Sequence, residues 1–200
     1  MRFASAVIAA LPLWFLLAGC PSPQPYFNYA AEPDPRKGGF LLGPSDVLKI
    51  NVWHNPDLSG DAIVRPDGTI TMPLVGDVRA AGRSPSEVRD EITTRLKAFI
   101  KDESAIVTVA VATVNSYRFV VSGNVEKPGS YNANHYVTVS EAITLASGPN
   151  KFASPEQTVI IRTSPNGTVR RIPIDEQAIL TGKRPEQDLV IMPGDTVYVP

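Results

Sequence analysis

Apolar residues along this chain follow a period of two in some stretches and a helical period in others, and the switches outline two small units. Leu48, Ile50 and Val52 alternate with Lys49 and Asn51, which predicts a strand buried on one face. A hairpin is predicted next, with strands over 62–65 and 69–73 around Pro66-Asp67-Gly68. That tripeptide supplies a preset φ, a capping side chain and a residue free to take positive φ. Ser84-Pro85-Ser86-Glu87 reads as a capping box with proline at the first helical position. Val88, Ile92, Leu96 and Phe99 then recur at helical spacing, while Arg89, Glu91, Arg95 and Lys97 take the polar side. Val107, Val109 and Val111 give another strand within 106–114. The first unit therefore reads β-β-β-α-β, with a boundary near Asn115-Ser116.

The second unit opens with a strand over 118–122, followed by Lys127-Pro128-Gly129-Ser130, whose Pro-Gly pair predicts a type II turn. Thr138 caps a short helix with Glu141 three residues on, a stripe of Val139, Ile143 and Ala146, and Gly148 at its end. Strands over 158–162 and 169–174 flank Ser164-Pro165-Asn166-Gly167, a hairpin, and the last strand covers 195–199. Two stretches echo each other. Pro44-Ser45-Asp46 leads into Val47-Leu48-Lys49-Ile50, and Pro193-Gly194-Asp195 leads into Thr196-Val197-Tyr198-Val199. In both, a carboxylate is placed to cap a turn that delivers the chain into a strand.

The start of the chain has a different pattern. Arg2 precedes an almost wholly apolar run over 6–17, interrupted by Pro12. A membrane-spanning helix needs about 20 apolar residues, so this shorter run reads as a secretory signal over residues 1–19. Leu17-Ala18-Gly19-Cys20 resembles a bacterial lipobox, and Cys20 is the only cysteine. The resemblance implies acylation of Cys20, and each buried CH₂ adds about 0.8 kcal/mol to such an anchor. Pro21, in place of the aspartate that marks inner-membrane retention in enterobacterial lipoproteins, implies transfer to the outer membrane. Residues 20–39 carry Pro21, Pro23, Pro25, Pro33, Pro35 and Gly38-Gly39 without a hydrophobic period, which predicts a tether. Tyr26, Phe27 and Tyr29 are placed to dock on a neighbour.

Composition narrows the chemistry. A formal net charge of −1 gives no basic surface for nucleic acid. His54 and His135 lie in different units without metal-ligand spacing. Gly-x-Ser-x-Gly and phosphate-binding glycine loops are absent from the sequence. Asp46, Asp57 and Asp61 are the candidate acid–base pairs for a glycan hydrolase or lyase, and each also has an explanation as a turn residue. Among the basic residues Arg65, Arg79, Arg83, Arg162, Arg170 and Arg171, the last three share one predicted hairpin and are the candidate ligand-binding residues, suited to acidic sugars or a partner's carboxylates.

Taken in order, "LLGPSDVLKINVW", "DLSGDAIVRPDGTITMPLVGDVRAAG", "SPSEVRDEITTRL" and "IVTVAVATVNS" resemble the polysaccharide export domain of the Wza-like outer-membrane polysaccharide export lipoproteins. "FVVSGNVEKPGSY", "TVSEAITLASGPN" and "MPGDTVYVP" resemble the SLBB (soluble-ligand-binding β-grasp) domain that follows it. The resemblance spans about residues 40–200. It implies an α+β fold of two small domains, a β-rich export domain over 40–115 with one main helix and a β-grasp domain over 116–200. It also implies a non-enzymatic subunit of a capsule or exopolysaccharide conduit, with no cofactor. The partners it implies are further copies in a homo-oligomeric ring, an inner-membrane polysaccharide copolymerase or tyrosine kinase, the polysaccharide itself, and the membrane through the lipid. Ser45 stands where the family often has glycine, which predicts a type I turn. The string ends after one SLBB unit, without the amphipathic helix of long members, and so implies a separate outer-membrane β-barrel pore. The rival expectations are a non-conduit carbohydrate-binding or scaffolding lipoprotein and, further off, the periplasmic hydrolase or lyase.

Overall fold

The computed structural model describes residues 27–100, 106–164 and 166–200. Cys20 and the signal segment lie outside the described residues. The fold is mixed helix and sheet in two units, each with its own buried apolar cluster.

In the first unit, β1 (Val47–Val52) is the centre of a three-stranded antiparallel sheet, flanked by β2 (Gly60–Ile63) and β5 (Val107–Thr113). The alternation in β1 behaves as its sequence predicts, with Leu48, Ile50 and Val52 buried and Lys49 and Asn51 exposed. The predicted hairpin around Pro66-Asp67-Gly68 is only half right. The turn forms, with Arg65 N–H donating to Thr69 O at 2.9 Å and Asp67 Oδ1 capping Thr69 N–H at 3.0 Å. Its two arms belong to different sheets, however. β2 pairs with β1, whereas β3 (Thr69–Met72) pairs with β4 (Gly76–Arg79), an element too short to show a period. The β3–β4 reversal places Leu74 at φ 62° and Gly76 at φ 74°.

Helix α1 (Pro85–Leu96) has the capping box in full, with Ser84 and Glu87 exchanging side-chain and backbone hydrogen bonds. Val88, Ile92 and Leu96 are buried, but Phe99 lies beyond the helix end and is 58% exposed. The polar side is tied down by Glu91, which pairs with both Arg83 and Arg95.

The second unit is one five-stranded sheet in the order β7-β6-β10-β8-β9. The strands are β6 (Arg118–Gly123), β7 (Gly129–Asn132), β8 (Thr158–Thr163), β9 (Val169–Ile174) and β10 (Thr196–Val199). The last strand inserts between the earlier ones, parallel to β6 and antiparallel to β8. Helix α2 (Val139–Leu145) buries Val139, Ala142 and Ile143 against this core. Helix α3 (Glu176–Leu180), capped by Asp175, has too few residues for a legible stripe and was not expected.

Two turn expectations need correction. Gly129 does not take a positive φ; it opens β7 opposite Val121, so the Pro128-Gly129 pair is not a type II turn. The glycine that the backbone requires is Gly123, at φ 89°, where an added Cβ would lie 2.0 Å from Val199 O. Conversely, Ser45 does adopt the left-handed conformation, at φ 74°, with Asp46 N–H donating to Gly43 O at 3.3 Å. That is a type II geometry despite the side chain. The buried Asp46 carboxylate holds it there.

The stretch expected to be a tether is, over its described part, a strap on the second unit. Residues 27–37 run past β9 as two single 3-10 turns, Tyr29–Ala31 and Pro35–Lys37. Tyr29 Oη donates to Pro173 O at 2.8 Å, and Phe27 and Tyr29 pack against the second core. An apolar period is missing because the strap is fastened by one ring pair and one carboxylate rather than by a stripe.

Candidate functional site

The three candidate arginines do not form one cluster. Arg162 on β8 is the cross-strand partner of Arg170 on β9, whereas Arg171 stands opposite Ile161. Successive strand residues point to opposite faces, so Arg171 is turned away from the other two. Arg162 is buried, and its guanidinium is fully engaged. Nε donates to Asp195 Oδ1 at 3.0 Å and Nη2 to Asp195 Oδ2 at 2.7 Å. Nη2 also reaches Val190 O at 3.2 Å, and Nη1 reaches Glu32 Oε2 at 3.1 Å. Arg170 closes on the other oxygen of Glu32, whose side chain is 3% exposed. Two guanidinium groups thus face two carboxylates, and the set is neutral. Such pairing is what keeps buried charge tolerable.

Glu32 and Asp195 are the members that sequence reasoning did not assign to this cluster. Asp195 was legible as a turn cap and does cap its turn, accepting from Met192 N–H at 2.8 Å. Glu32 sits in the proline-rich strap, 130 positions from Arg162, and nothing local signals its role.

The candidate carboxylates are also separated by the fold. Asp46 is fully buried and accepts four hydrogen bonds, from Gly43 N–H, Asn115 N–H, Ser116 N–H and Ser116 Oγ. Its oxygens are committed to the backbone where the two units meet. Asp57 lies in the exposed 3-10 turn Pro56–Leu58 and Asp61 on the exposed side of β2, opposite Lys49. The histidines remain apart. His54, at φ 59°, stacks on Trp53 with ring centroids 4.9 Å apart, and His135 Nε2 lies 2.8 Å from Glu141 Oε1. Among the described residues, no group of three or more His, Cys, Asp or Glu side chains could hold a metal ion.

An open cleft of about 1080 Å³ lies where the strap crosses the second unit. Phe27 and Tyr29 form one wall, the turn Pro155–Gln157 and the end of β9 another, and the turn Pro185–Gln187 a third. The two rings are 4.9 Å apart and tilted by 52°. Glu156, Asp175, Arg184 and Glu186 supply its charges. Burial and the surrounding carboxylates hold the Tyr29 hydroxyl above its ordinary range, with Arg184 opposing them.

Comparison with known proteins supplies the context for this architecture. The family model described as polysaccharide biosynthesis/export protein matches residues 34–112, and the SLBB domain model matches residues 118–173. The chain is 33% identical over 135 residues to the EPS I polysaccharide export outer membrane protein EpsA of Ralstonia solanacearum, covering 56% of this chain and 35% of that protein. It is 34% identical over 125 residues to the exopolysaccharide production protein ExoF of Rhizobium meliloti, covering 56% of this chain and 29% of the relative. It is 28% identical over 92 residues to the polysialic acid transport protein KpsD of Escherichia coli, covering 46% and 16%. The chain therefore spans about a third or less of the length of these curated relatives. Among the described residues no helix is long and apolar enough to cross a membrane.

Proposed function

Since the chain belongs to the polysaccharide export family built from an export domain followed by an SLBB domain, we propose that it is a lipid-anchored periplasmic subunit of a capsule or exopolysaccharide export conduit. The observation that carries this reading is the unbroken order of the two matches along residues 34–173. The relatives named for export support the polymer class, and the lipobox at Cys20 supports the anchor. In this reading the protein performs no bond chemistry. Copies assemble around a wet path, an inner-membrane copolymerase delivers the polymer, and a separate outer-membrane barrel completes the exit. The two-unit body suits such work because the buried Asp46 carboxylate and the Glu32 strap hold the parts of one subunit together.

The test is genetic and quantitative. Deleting the chain from its host lowers surface polysaccharide, the intact chain restores it, and a Cys20→Ser chain does not. Surface polysaccharide that is unchanged on deletion overturns the export role. Full restoration by Cys20→Ser overturns the anchor alone.

A further inference from the structure

The geometry points to the strap-walled cleft as a glycan subsite that takes neutral or amine-bearing sugars and excludes uronates. The choice of a glycan as ligand rests on the export reading above; the choice among glycans rests on the cleft itself. Aromatic rings offer a flat apolar surface to the C–H face of a pyranose, and carboxylates accept from its hydroxyls. Phe27 and Tyr29 supply the rings, and both are half-buried on the strap. Tyr29 cannot swing freely, because its hydroxyl is held on Pro173 O at 2.8 Å. The platform is therefore positioned before a ligand arrives, which lowers the ordering cost of binding.

The charges then select. Three acidic side chains, Glu156, Asp175 and Glu186, line the cleft against a single Arg184. Among the described residues neither Glu156 nor Glu186 has an ion-pair partner. A sugar carboxylate entering here meets excess like charge, while a hydroxyl or ammonium group meets acceptors. The sequence alone offered Arg162, Arg170 and Arg171 for acidic sugars or a partner's carboxylates, and of these Arg171 is turned away from Arg162 and Arg170. Those two guanidinium groups are already matched by Glu32 and Asp195, so the cleft has no share of their charge.

The experiment is calorimetric titration of the full chain in detergent with three tetrasaccharides: a neutral glucan, a glucosamine tetramer and a tetragalacturonate. The glucosamine tetramer and the glucan bind, and the galacturonate binds at least about tenfold more weakly than either. Phe27→Ala weakens the glucan by about tenfold or more at a temperature where circular dichroism shows the variant still folded, and the double variant Glu156→Gln/Glu186→Gln narrows the gap between amine and uronate probes. No heat from any probe, tightest binding by the galacturonate, or glucan affinity unchanged in Phe27→Ala each overturns the proposal. A chain that restores surface polysaccharide yet binds no probe removes the cleft and leaves the export reading standing. A chain that binds as expected but is dispensable for surface polysaccharide does the reverse.

Discussion

Asp46 Oδ1 accepts the backbone N–H of Ser116 at 2.8 Å across 70 positions of sequence, and its other oxygen accepts the Ser116 hydroxyl at the same distance. One buried carboxylate thus closes its own turn, through Gly43 N–H, and fixes the segment where the chain passes from the first unit into the second. Space is short there as well: a Cβ on Gly43 would lie 2.4 Å from Ser116 Cβ. Asp195 repeats the arrangement in the second unit, but spends its spare capacity on Arg162 instead of on backbone amides. The same short motif is used once to join the two units and once to neutralise a buried cation.

Asp46→Ala leaves four donors, on the half-buried Gly43, Asn115 and Ser116, without the buried acceptor they share. Each buried donor that loses its partner costs about 1–3 kcal/mol, and partial rehydration reduces the sum, so a loss of about 4 kcal/mol is expected. Urea denaturation followed by tyrosine and tryptophan fluorescence measures it. A loss below about 1 kcal/mol shows that the joint is held elsewhere. The outcome also separates a fastening role from the acid–base role considered for this residue, since a catalytic carboxylate is typically removable without such a loss of stability.

Glu32→Ala removes the carboxylate that Arg162 and Arg170 share, leaving the buried Arg162 paired with Asp195 alone and its cross-strand neighbour Arg170 without an ion-pair partner. Breaking a buried pair by removing one partner costs about 3–5 kcal/mol; the exposure of Arg170 and the Asp195 partner that Arg162 keeps place the expected loss at about the lower end. The effect is local first. Amide hydrogen exchange over 29–37 rises sharply, because the strap then loses its ion pairs to β8 and β9 while keeping the Tyr29 hydroxyl and the ring contacts. Adding Arg170→Ala recovers part of the loss by removing the like charge. A double variant no more stable than Glu32→Ala counts against the charge argument.

Much of this fold was legible because local rules and tertiary packing agree. The α1 capping box, the β1 alternation and the paired Pro-x-Asp turns follow from nearest-neighbour chemistry, and all three are present. The split of Arg170 from Arg171 was also legible, since strand alternation alone sends them to opposite faces. The strap was not, because its fastening depends on Glu32 meeting a cation 130 positions away. Likewise β4 and α3 are shorter than the windows in which a period can be read. At Ser45 the failure has another cause. Serine is disfavoured at φ 74°, yet the tertiary hydrogen bonds of Asp46 outweigh that preference.

The paired turns allow that preference to be measured twice. Ser45 at φ 74° and Gly194 at φ 86° hold corresponding places before Asp46 and Asp195. An added Cβ at Gly194 meets nothing within 4 Å, so Gly194→Ala tests backbone conformation alone. It is expected to destabilise by about 1 kcal/mol. Ser45→Gly is expected to stabilise by about 0.5 kcal/mol, because relief of the left-handed strain is partly offset by a more flexible unfolded chain. Thermal or urea unfolding of the two variants should therefore move in opposite directions. Movement in the same direction would show that the side chain of Ser45 contributes more than its backbone strain removes.

Glu176 gives the stability a pH dependence of unusual sign for a carboxylate. It is 3% exposed on α3, Oε2 has no hydrogen-bond partner, and burial raises its pKa from 4.5 to about 7. Between those values the unfolded chain has released the proton while the folded chain still holds it. Stability contributed by this group is therefore complete below pH 4.5 and falls as pH rises to about 7, where the folded form also ionises. The total change is about 3 kcal/mol. Glu176→Gln keeps the shape of the neutral acid and removes the titration. Its stability should match that of the parent near pH 4 and exceed it by up to about 3 kcal/mol above pH 7. Carboxylates held below their ordinary range, Asp34, Asp67, Glu87 and Glu91, act in the opposite sense at acid pH, but they are common to both proteins and cancel in the difference. A difference between the two proteins that does not vary from pH 4 to pH 8 would mean that the Glu176 carboxyl is solvated in the folded state.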